Sequence, residues 1–309
     1  FIMFPLYTVA MVTVCTPTYN RAHTLPKLYE SLKKQTNNDF EWLIVDDGSI
    51  DETEKLVSSW INEETSIKIR YIRKSNGGKH TAVNCGVKNA AGNFFFIVDS
   101  DDYLKENAVE KIESDFEKLP NGKYAGLGYN KVFEDSKLVG KTFQGDFIDA
   151  TSLQRPKFGI FGDKAEVFFT EVLRKYPFPV FEGEHFLTEA IVWNRIANDG
   201  YLIRWINQGI YVCEYRDDGL SMNASGLKNF KGYTQFIKEL IHYNQIQIVE
   251  KIKWTGVYAS VATDKGLGAS ETANLINTNV FFVVLTKLLY KTKTRFVTTN
   301  RREKYKVRR

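Results

Sequence analysis

Cysteine is scarce in this chain of 309 residues: three are present, at positions 15, 85 and 213, and no two of them lie close together. Structural zinc sites use cysteine pairs about two to four residues apart, and small secreted domains use several closely placed cysteines. The spacing therefore argues against a zinc site and against a disulfide framework. It predicts a protein of a reducing compartment, the cytoplasm.

Long apolar runs are lacking as well, and none approaches the roughly 18 to 20 residues that span a bilayer. The net charge of +5 is unevenly placed, because ten Lys or Arg and one Glu fall between positions 287 and 309. That stretch carries +9, so the preceding residues together carry −4. Residues 1–10 are apolar without a basic residue, and Met11 resembles a natural start. We expect residues 1–10 to be an upstream segment and not a signal peptide.

What the chain does have is an aromatic and β-branched run that ends in acids: Phe94–Tyr103 reads Phe-Phe-Phe-Ile-Val-Asp-Ser-Asp-Asp-Tyr. The apolar part predicts a buried central strand. Ligands of open α/β sheets bind at the carboxyl ends of strands, where Asp99, Asp101 and Asp102 lie. Crowded carboxylates repel one another unless a cation compensates, and Mg²⁺ or Mn²⁺ can also hold phosphate oxygens. The alternative is a solvated turn that caps the next helix.

Strand and helix patterns alternate four times in the first part of the chain. The predicted strands are residues 12–15, 40–45, 67–72 and 94–98, and the predicted helices are residues 21–35, 51–62, 81–90 and 104–119. This alternation predicts an α/β fold with a mostly parallel central sheet flanked by helices. Further strands are predicted within residues 124–147 and at 201–206 and 210–215, and further helices at 170–176, 230–257 and 271–290.

Three of the predicted strands end in residues with distinct chemistry. Residues 16–19 offer backbone groups, a hydroxyl and an aromatic face, and Asp47 offers an acceptor for the N–H of a base ring. Asp99 and Asp101 offer acceptors for ribose hydroxyls and for a metal. Parallel strands end at one edge of a sheet, so we expect these groups to lie close together. Each stretch alone predicts a turn; together they predict a nucleotide-diphosphate site.

Four motifs follow one another in an order and spacing similar to the family 2 glycosyltransferases: Val14-Cys-Thr-Pro-Thr-Tyr-Asn-Arg21, Val45-Asp-Asp-Gly-Ser49, Asn76-Gly-Gly-Lys-His80 and Val98-Asp-Ser-Asp-Asp102. The resemblance covers residues 11–221. It implies the GT-A fold and an inverting transfer of a sugar from a nucleotide sugar, usually a UDP-sugar, to an acceptor hydroxyl. We expect a catalytic domain at 11–226, with a nucleotide-binding half at 11–103 and an acceptor half at 104–226, and a helical C-terminal extension with a basic tail at 227–309.

The resemblance also implies roles for individual residues. Contacts with the donor nucleotide are implied for Thr16, Pro17, Tyr19, Asp47, Lys79 and Asp99. Within this set Asp47 bonds the base and Asp99 faces the ribose. Asp101 is implied to bind the divalent metal, Mn²⁺ or Mg²⁺, with Asp99 assisting. Asp102 is expected to cap a helix or to support its neighbours, and His80 is a further candidate for a donor or acceptor contact.

An inverting transfer needs a carboxylate that takes the proton of the acceptor hydroxyl. By resemblance, this base belongs to an acidic pair that begins a helix after the metal motif, and the matching place is Thr188-Glu189, four residues before Trp193. Thr188 departs from the acidic first member of that pair. Glu189 is the predicted base, and Glu182 and Glu184 are the alternatives. Glu189 can also be interpreted as a carboxylate that interacts with the helix dipole.

Many family members carry a His that completes the metal site, where this chain has none and reads Glu214-Tyr-Arg-Asp-Asp-Gly-Leu-Ser221. Asp217 or Asp218 is the candidate that contacts metal or phosphates instead. The departure leaves open a relative that binds nucleotide sugars without turnover. A nucleotidyltransferase is the other alternative, but residues 16–21 lack the Gly-rich basic loop that such an enzyme needs for phosphates.

The end of the chain is apolar at residues 280–290 and then strongly basic. An amphipathic helix followed by Lys and Arg is typical of segments on an anionic bilayer surface. We therefore predict contact with the inner face of the cell membrane, and the resemblance implies a saccharide or lipid-linked acceptor in bacterial polysaccharide or glycolipid synthesis. The alternative is a helix packed on the catalytic domain or in a dimer. No nucleic-acid partner is expected, because no basic and aromatic platform is present.

Overall fold

The computed structural model describes residues 11–63, 67–214 and 226–290. The chain divides into two compact units. The first unit comprises Phe1–Val180 and Val192–Met222, and the second comprises Phe181–Ile191 and Asn223–Arg309. The first unit contains the sheet, and the segment 181–191, which carries the predicted base, belongs to the second.

The first unit begins with the predicted alternation of strands and helices. The strands are β1 (Val12–Thr18), β2 (Phe40–Asp46), β3 (Lys68–Arg73) and β4 (Phe94–Ile97), and the helices are α1 (Leu25–Lys33), α2 (Thr53–Asn62) and α3 (Lys79–Asn89). β1 pairs in parallel with β2 and with β4, and β2 pairs in parallel with β3. Every residue of β1 and β2 is buried, as expected for central strands covered on both faces.

The remaining elements are the strands β5 to β9, which complete the sheet, and the helices between them. They are β5 (Tyr103–Leu104), α4 (Ala108–Glu117), β6 (Tyr124–Val132), β7 (Phe147–Ala150), a 3-10 helix (Ser152–Phe158), β8 (Lys164–Phe169), α5 (Thr170–Lys175), α6 (Ala190–Asn198) and β9 (Leu202–Val212). The strand order is β3-β2-β1-β4-β8-β6-β9-β5, and β7 pairs with β9. The predicted α/β fold, with a mostly parallel sheet flanked by helices, is confirmed; antiparallel pairs lie in its second half.

β1 is longer than the strand predicted at residues 12–15 and continues through the proline of the first motif. Pro17 pairs with Val45, and the strand continues to Thr18. The N–H of Val98, just after β4, donates to the carbonyl of Cys15. The backbone N–H and carbonyl groups of alternate residues in a strand face the same neighbouring strand, so Cys15 and Pro17 both face β4. Because β4 has already ended at the level of Pro17, no strand there requires the N–H that proline lacks. A proline is tolerated at such a position.

In the second half of the sheet two predictions were wrong in their boundaries, and the strands β5 and β8 were not predicted. The helix expected from residue 104 begins at Ala108, because Tyr103 and Leu104 pair with β9. The two strands expected at 201–206 and 210–215 form the single strand β9. β8 was not predicted, although it joins β4 to β6. It is mostly buried and therefore lacks the alternation that marks a half-exposed strand.

The second unit is helical, as expected, but its helices are shorter than predicted. They span Phe230–Leu240, Ile248–Asp264, Ala269–Leu275 and Val280–Tyr290. The last two meet at a bend of 107°. Asn277 lies at this bend with a φ of 52°, a conformation that asparagine adopts more readily than most residues.

Glu113 on α4 makes the stability of the first unit dependent on pH. Burial, together with the charge of Asp39, raises the pKa of Glu113 to about 7. As the pH rises past the ordinary pKa of a glutamate, the unfolded chain releases this proton before the folded chain does. The free energy of unfolding therefore falls progressively up to about pH 7. We expect the free energy of unfolding of Glu113→Gln to exceed that of wild type by about 1 to 2 kcal/mol at pH 8 and to equal it near pH 4. The partial exposure of Glu113 keeps this difference below the value of the full shift.

Urea unfolding at both pH values measures this difference. Glu106→Gln, at an exposed position nearby, serves as the control and should leave stability unchanged at both. A gain in Glu113→Gln that is the same at pH 4 and pH 8 would contradict the assignment.

Candidate active site

The carboxyl ends of β1, β2 and β4 meet at one edge of the sheet. Thr18 lies beside Asp46 in the parallel register. The N–H of Asp47 donates to the carbonyl of Thr18 at 2.8 Å, and the N–H of Val98 donates to the carbonyl of Cys15 at 2.9 Å. The structure therefore brings together the three strand ends that were predicted to share a site.

Tyr19 directly follows β1 and is exposed, with 46% of the residue accessible. Thr16 is fully buried, and its hydroxyl accepts a hydrogen bond from Trp42 Nε1 at 2.9 Å. Pro17 is buried as well. Asn20 then turns the chain with a φ of 55°. Tyr19 is thus accessible at this edge of the sheet, whereas Thr16 and Pro17 are buried; donor contacts by all three residues stay predictions.

Asp47 ties the end of β2 to the loop before α3. Its Oδ1 accepts hydrogen bonds from Lys74 Nζ at 2.5 Å and from the N–H of Gly77 at 3.0 Å, and its Oδ2 accepts from the N–H of Gly78 at 2.7 Å. Gly78 has a φ of 91°, which favours glycine. Asp47 therefore builds the loop that carries Lys79. A hydrogen bond from a base ring to Asp47 stays a prediction.

Asp99 is the most strongly charge-paired acid of the site. Lys79 Nζ contacts its Oδ1, and Lys131 Nζ lies 3.7 Å from its Oδ2. Burial by itself raises the pKa of Asp99, but the two ammonium groups outweigh burial and lower it to about 2. Asp99 therefore remains ionised at all physiological pH values.

Lys131 is a residue of this site that sequence reasoning missed. It lies near the carboxyl end of β6, its side chain is 8% exposed, and its Nζ is 2.9 Å from Asp163 Oδ2. The charges of Asp163 and Asp99 outweigh burial and hold its pKa well above the ordinary value. A lysine inside the run Tyr-Ala-Gly-Leu-Gly-Tyr-Asn-Lys-Val was the available signal, because lysine is rarely buried without a charged partner.

Asp102 is hydrogen-bonded to Tyr211 and Glu214, next to the site. Its Oδ2 accepts a hydrogen bond from Tyr211 Oη at 2.8 Å, and its Oδ1 accepts from the N–H of Glu214 at 3.0 Å. Tyr211 Oη in turn accepts from the N–H of Asp99 at 2.9 Å. Of the two roles expected for Asp102, the supporting one matches these contacts. They connect the end of β4 to β9.

The carboxylates of Asp99 and Asp101 fit a hard divalent cation. Burial and the neighbouring charge of Asp99 raise the pKa of Asp101, so its negative charge is under-compensated. Carboxylate oxygens are the ligands that Mg²⁺ and Mn²⁺ prefer. Within residues 11–63, 67–214 and 226–290, no group of three or more His, Cys, Asp or Glu is arranged to hold a metal. The candidates Asp217 and Asp218 lie outside the described residues.

The glutamates predicted as bases occupy three different environments in the second unit. Glu182 is exposed, and Glu189 is half-buried directly before α6. Glu184 is buried, and its two oxygens accept hydrogen bonds from the N–H groups of Lys231 and Gly232, at 2.7 and 2.8 Å. These groups begin the helix Phe230–Leu240, so Glu184 is a helix cap. These contacts favour a capping role for Glu184, and a role as an alternative base stays a prediction.

His80 is buried in the first turn of α3, at 3% exposure. Its position beside Lys79 is that of a residue packed under the loop and not of one presented to solvent. A contact of His80 with donor or acceptor stays a prediction.

Replacing Glu184 by alanine is expected to destabilise the second unit by about 2 to 3 kcal/mol. The change leaves two helix N–H groups without their acceptor in a buried place. Thermal unfolding measures the loss. Glu182→Ala is the matched control and should change stability by less than about 0.5 kcal/mol, because Glu182 is exposed. Equal stability of the two variants would contradict the capping role.

Comparison with known proteins agrees with this geometry. The family model described as glycosyl transferase family 2 matches residues 13–169. The chain is 35% identical over 136 residues to an uncharacterized glycosyltransferase of Rickettsia felis, which covers 44% of this chain and 22% of that protein. It is 25% identical over 224 residues to glycosyltransferase GlyA of Streptococcus pneumoniae, which covers 68% of this chain and 31% of that protein. The chain thus spans less than half the length of these relatives.

Solved structures share the fold at low sequence identity. S. aureus TarS in complex with UDP-GlcNAc is similar with a TM-score of 0.62 and 18% identity, covering 83% of this chain and 73% of that one. The mannosyltransferase PcManGT from Pyrobaculum calidifontis, in complex with GDP-Man and Mn²⁺, has a TM-score of 0.54 and 18% identity, covering 93% and 84%.

Proposed function

This chain belongs to glycosyl transferase family 2, and we propose that it transfers a sugar from a nucleotide sugar to an acceptor hydroxyl. The observation that carries the proposal is the meeting of Asp99 and Asp101 with the ends of β1 and β2 at one edge of the sheet. Structural neighbours in complex with UDP-GlcNAc and with GDP-Man support a nucleotide-sugar donor. A UDP-sugar is the class we propose.

Each strand end has a separate task in this proposal. The exposed ring of Tyr19 stacks on the base, and Asp47 accepts a hydrogen bond from the base ring. Asp99, ionised by its lysine partners, accepts hydrogen bonds from the ribose hydroxyls. Asp101, with Asp99 assisting, is the group that would hold Mn²⁺ or Mg²⁺. Such an ion supplies Lewis-acid stabilisation of the negative charge on the leaving diphosphate.

Glu189 is the proposed general base of an inverting transfer. A carboxylate within reach of the acceptor hydroxyl takes its proton as the oxygen attacks the anomeric carbon from the face opposite the leaving group. Glu189 is half-buried and stands immediately before α6.

A donor panel tests the proposal. Release of UDP from each of a set of UDP-sugars, and of GDP from GDP-mannose, is measured with Mn²⁺, with Mg²⁺ and with EDTA. We expect metal-dependent release from one donor, at a low rate until an acceptor is supplied. Metal-independent release would overturn the metal site. Tight UDP-sugar binding without any turnover, in the presence of saccharide and lipid-linked acceptors, would instead favour an inactive relative.

We further propose that the acceptor lies at a membrane, where the enzyme takes part in bacterial polysaccharide or glycolipid synthesis. The helix Val280–Tyr290 exposes an apolar face: Val280, Phe281, Val284, Leu285, Leu288 and Leu289. Phe281 is 75% exposed. The sequence that follows is strongly basic, which complements anionic lipid headgroups. No single helix among the described residues is both long and apolar enough to cross a membrane. The bent pair Ala269–Leu275 and Val280–Tyr290 reaches the required length and apolar composition only when its two helices are taken together.

Vesicle sedimentation tests the membrane proposal. The full chain should bind vesicles containing phosphatidylglycerol and not vesicles of phosphatidylcholine alone, and salt should weaken the binding. Phe281→Ser with Leu285→Ser should abolish it. Ile248→Ser with Val249→Ser, at two other exposed apolar positions of the second unit, is the matched control. Loss of a dimer in Phe281→Ser with Leu285→Ser, with vesicle binding unchanged, would assign this face to a second copy of the chain instead.

A further inference from the structure

Asp163 lies at the same edge of the sheet as Asp99, next to a strand that the sequence did not reveal. β8 runs antiparallel to β4 and to β6, so its first residue, Lys164, lies at the edge where β4 and β6 end. The contacts of Lys131 agree with this placement, because its Nζ lies 2.9 Å from Asp163 Oδ2 and 3.7 Å from Asp99 Oδ2. One ammonium group thus lies between the two carboxylates.

The two carboxylates differ in their access to solvent. The side chain of Asp163 is 65% exposed, whereas those of Asp99 and Lys131 are 27% and 8% exposed. Lys131 Nζ donates to Oδ2 of Asp163, and the other oxygen, Oδ1, has no hydrogen-bond partner among the residues that the structure describes. Asp163 therefore presents one charged acceptor to solvent beside Asp99, while its second oxygen is held by the buried lysine.

Backbone contacts define the turn that precedes Asp163. Lys141 and Phe161 exchange two backbone hydrogen bonds, at 3.0 and 3.1 Å. Gly162 follows with a φ of 80°, a conformation that favours glycine. A Cβ on Gly140 would lie 2.7 Å from the Cα of Gly162, so the two chain segments approach as closely as only glycine allows. The position of Asp163 is thus set by its backbone as well as by its ion pair.

The order of the strands places Asp163 next in line after the proposed nucleotide contacts. The proposed base contact, Asp47, follows β2, and the proposed ribose contact, Asp99, follows β4. The sheet continues in the order β2-β1-β4-β8, and neighbouring strands are about 4.8 Å apart, so β8 lies about 14 Å from β2. In a nucleotide sugar the diphosphate separates the sugar from the nucleoside. A donor that extends along this edge from β2 past β4 therefore brings its sugar towards Asp163.

We propose that Asp163 binds a hydroxyl group of the transferred sugar and selects a neutral sugar over a uronic acid. Its Oδ1 accepts a hydrogen bond from the hydroxyl, while Oδ2 stays paired with Lys131. A sugar carboxylate in the same place would meet the negative charge of Asp163, and like charges brought together oppose binding. This inference rests on the proposed function, because it takes the ligand to be a nucleotide sugar whose ribose faces Asp99.

Lys131 does not offset that repulsion. Its ammonium group is enclosed between Asp99 and Asp163 and lies 4.2 Å from the centre of the Tyr211 ring. A sugar carboxylate would have to compete with Asp163 for this one cation, and the loser would be left without a counter-charge. A hydroxyl needs only an acceptor, which Oδ1 already provides. The arrangement of charges thus favours a neutral sugar.

Binding of UDP compared with binding of UDP-sugars tests the inference. Calorimetric titrations with Mg²⁺, without acceptor, use UDP, UDP-glucose, UDP-galactose, UDP-N-acetylglucosamine, UDP-N-acetylgalactosamine and UDP-glucuronic acid. The proteins are wild type, Asp163→Ala, Asp163→Asn and the control Asp135→Ala. Asp135 is the matched control because it is also an exposed aspartate paired with a lysine.

The two substitutions of Asp163 have different expected effects. Asp163→Ala should weaken the neutral UDP-sugar that wild type binds most tightly by about ten- to a hundredfold, because a hydrogen bond to a charged group is lost. It should change UDP binding by less than about threefold, because Lys131 still pairs with Asp99. Asp163→Asn should raise the affinity for UDP-glucuronic acid, relative to that neutral donor, by about tenfold or more. Asp135→Ala should change none of these affinities.

Three results would overturn the inference. If Asp163→Ala weakens UDP as much as the UDP-sugar, Asp163 acts on the nucleotide through Lys131 and Asp99 and not on the sugar. Unchanged binding of the UDP-sugar would show that Asp163 does not contact it. Wild type that prefers UDP-glucuronic acid to every neutral donor, or an unchanged preference in Asp163→Asn, would refute the selection against uronic acids. Retained affinity for UDP shows that a variant is folded.

The wild-type titrations distinguish this inference from the proposed function. If wild type binds UDP and a neutral UDP-sugar but the Asp163 variants do not follow the expected pattern, the inference alone is wrong. If wild type binds neither UDP nor any of the UDP-sugars, the proposed UDP-sugar donor itself is refuted.

Discussion

Asp101→Ala is expected to abolish metal-dependent release of UDP, with a fall in kcat/KM of about a thousandfold or more. Asp101 lies in the turn after β4, and its carboxylate is under-compensated because burial and Asp99 both disfavour its charge. In the proposed mechanism it holds the cation that neutralises the leaving diphosphate. Removing it leaves that developing charge without stabilisation, although Asp99 and its lysines are retained.

Two measurements check this. Steady-state release of UDP gives the loss in rate, and titration of Mn²⁺ followed by electron paramagnetic resonance, with UDP present, gives the loss in metal binding. Asp135→Ala, at an exposed aspartate paired with Lys137, is the matched control and should leave both unchanged. An Asp101→Ala variant that keeps full metal-dependent activity would exclude Asp101 from the metal site.

Glu189→Gln is expected to lower the rate of sugar transfer by about a hundred- to ten-thousandfold, the range of general-base catalysis. Glutamine keeps the size and shape of the side chain but cannot take a proton. The affinity for UDP should change by less than about twofold, because the base acts on the acceptor and not on the nucleotide. The measurement is transfer to acceptor under saturating donor, with UDP affinity determined separately.

The glutamates of the second unit provide the comparison for this variant. Glu182→Gln alters an exposed carboxylate seven residues earlier and should leave the rate unchanged. A full loss in Glu182→Gln with normal transfer by Glu189→Gln would move the base to Glu182. Glu184 caps the helix Phe230–Leu240, so its variants are expected to report on stability.

The parallel half of the fold was predictable because its signals are local. Each of the first four strands is rich in β-branched or aromatic residues and ends in a polar turn, and the helices between them carry apolar residues on one face. Such signals need no knowledge of distant partners. β8 and the short strand β5 were missed because pairing with β4, β6 and β9 defines them, and their own residues do not.

The sequence by itself determined the class of fold, the family, and the acids Asp99 and Asp101 at the end of a buried strand. The order of residues along the first four strands and the turns that follow them is enough to predict these features. Only the tertiary structure decided which groups surround them. Lys131 comes from β6, more than thirty residues from Asp99, and Glu184 caps a helix that begins more than forty residues later. Burial makes such distant ion pairs and hydrogen bonds obligatory, since an unpaired buried charge or N–H is unfavourable, but it does not reveal in advance which residue will provide the partner.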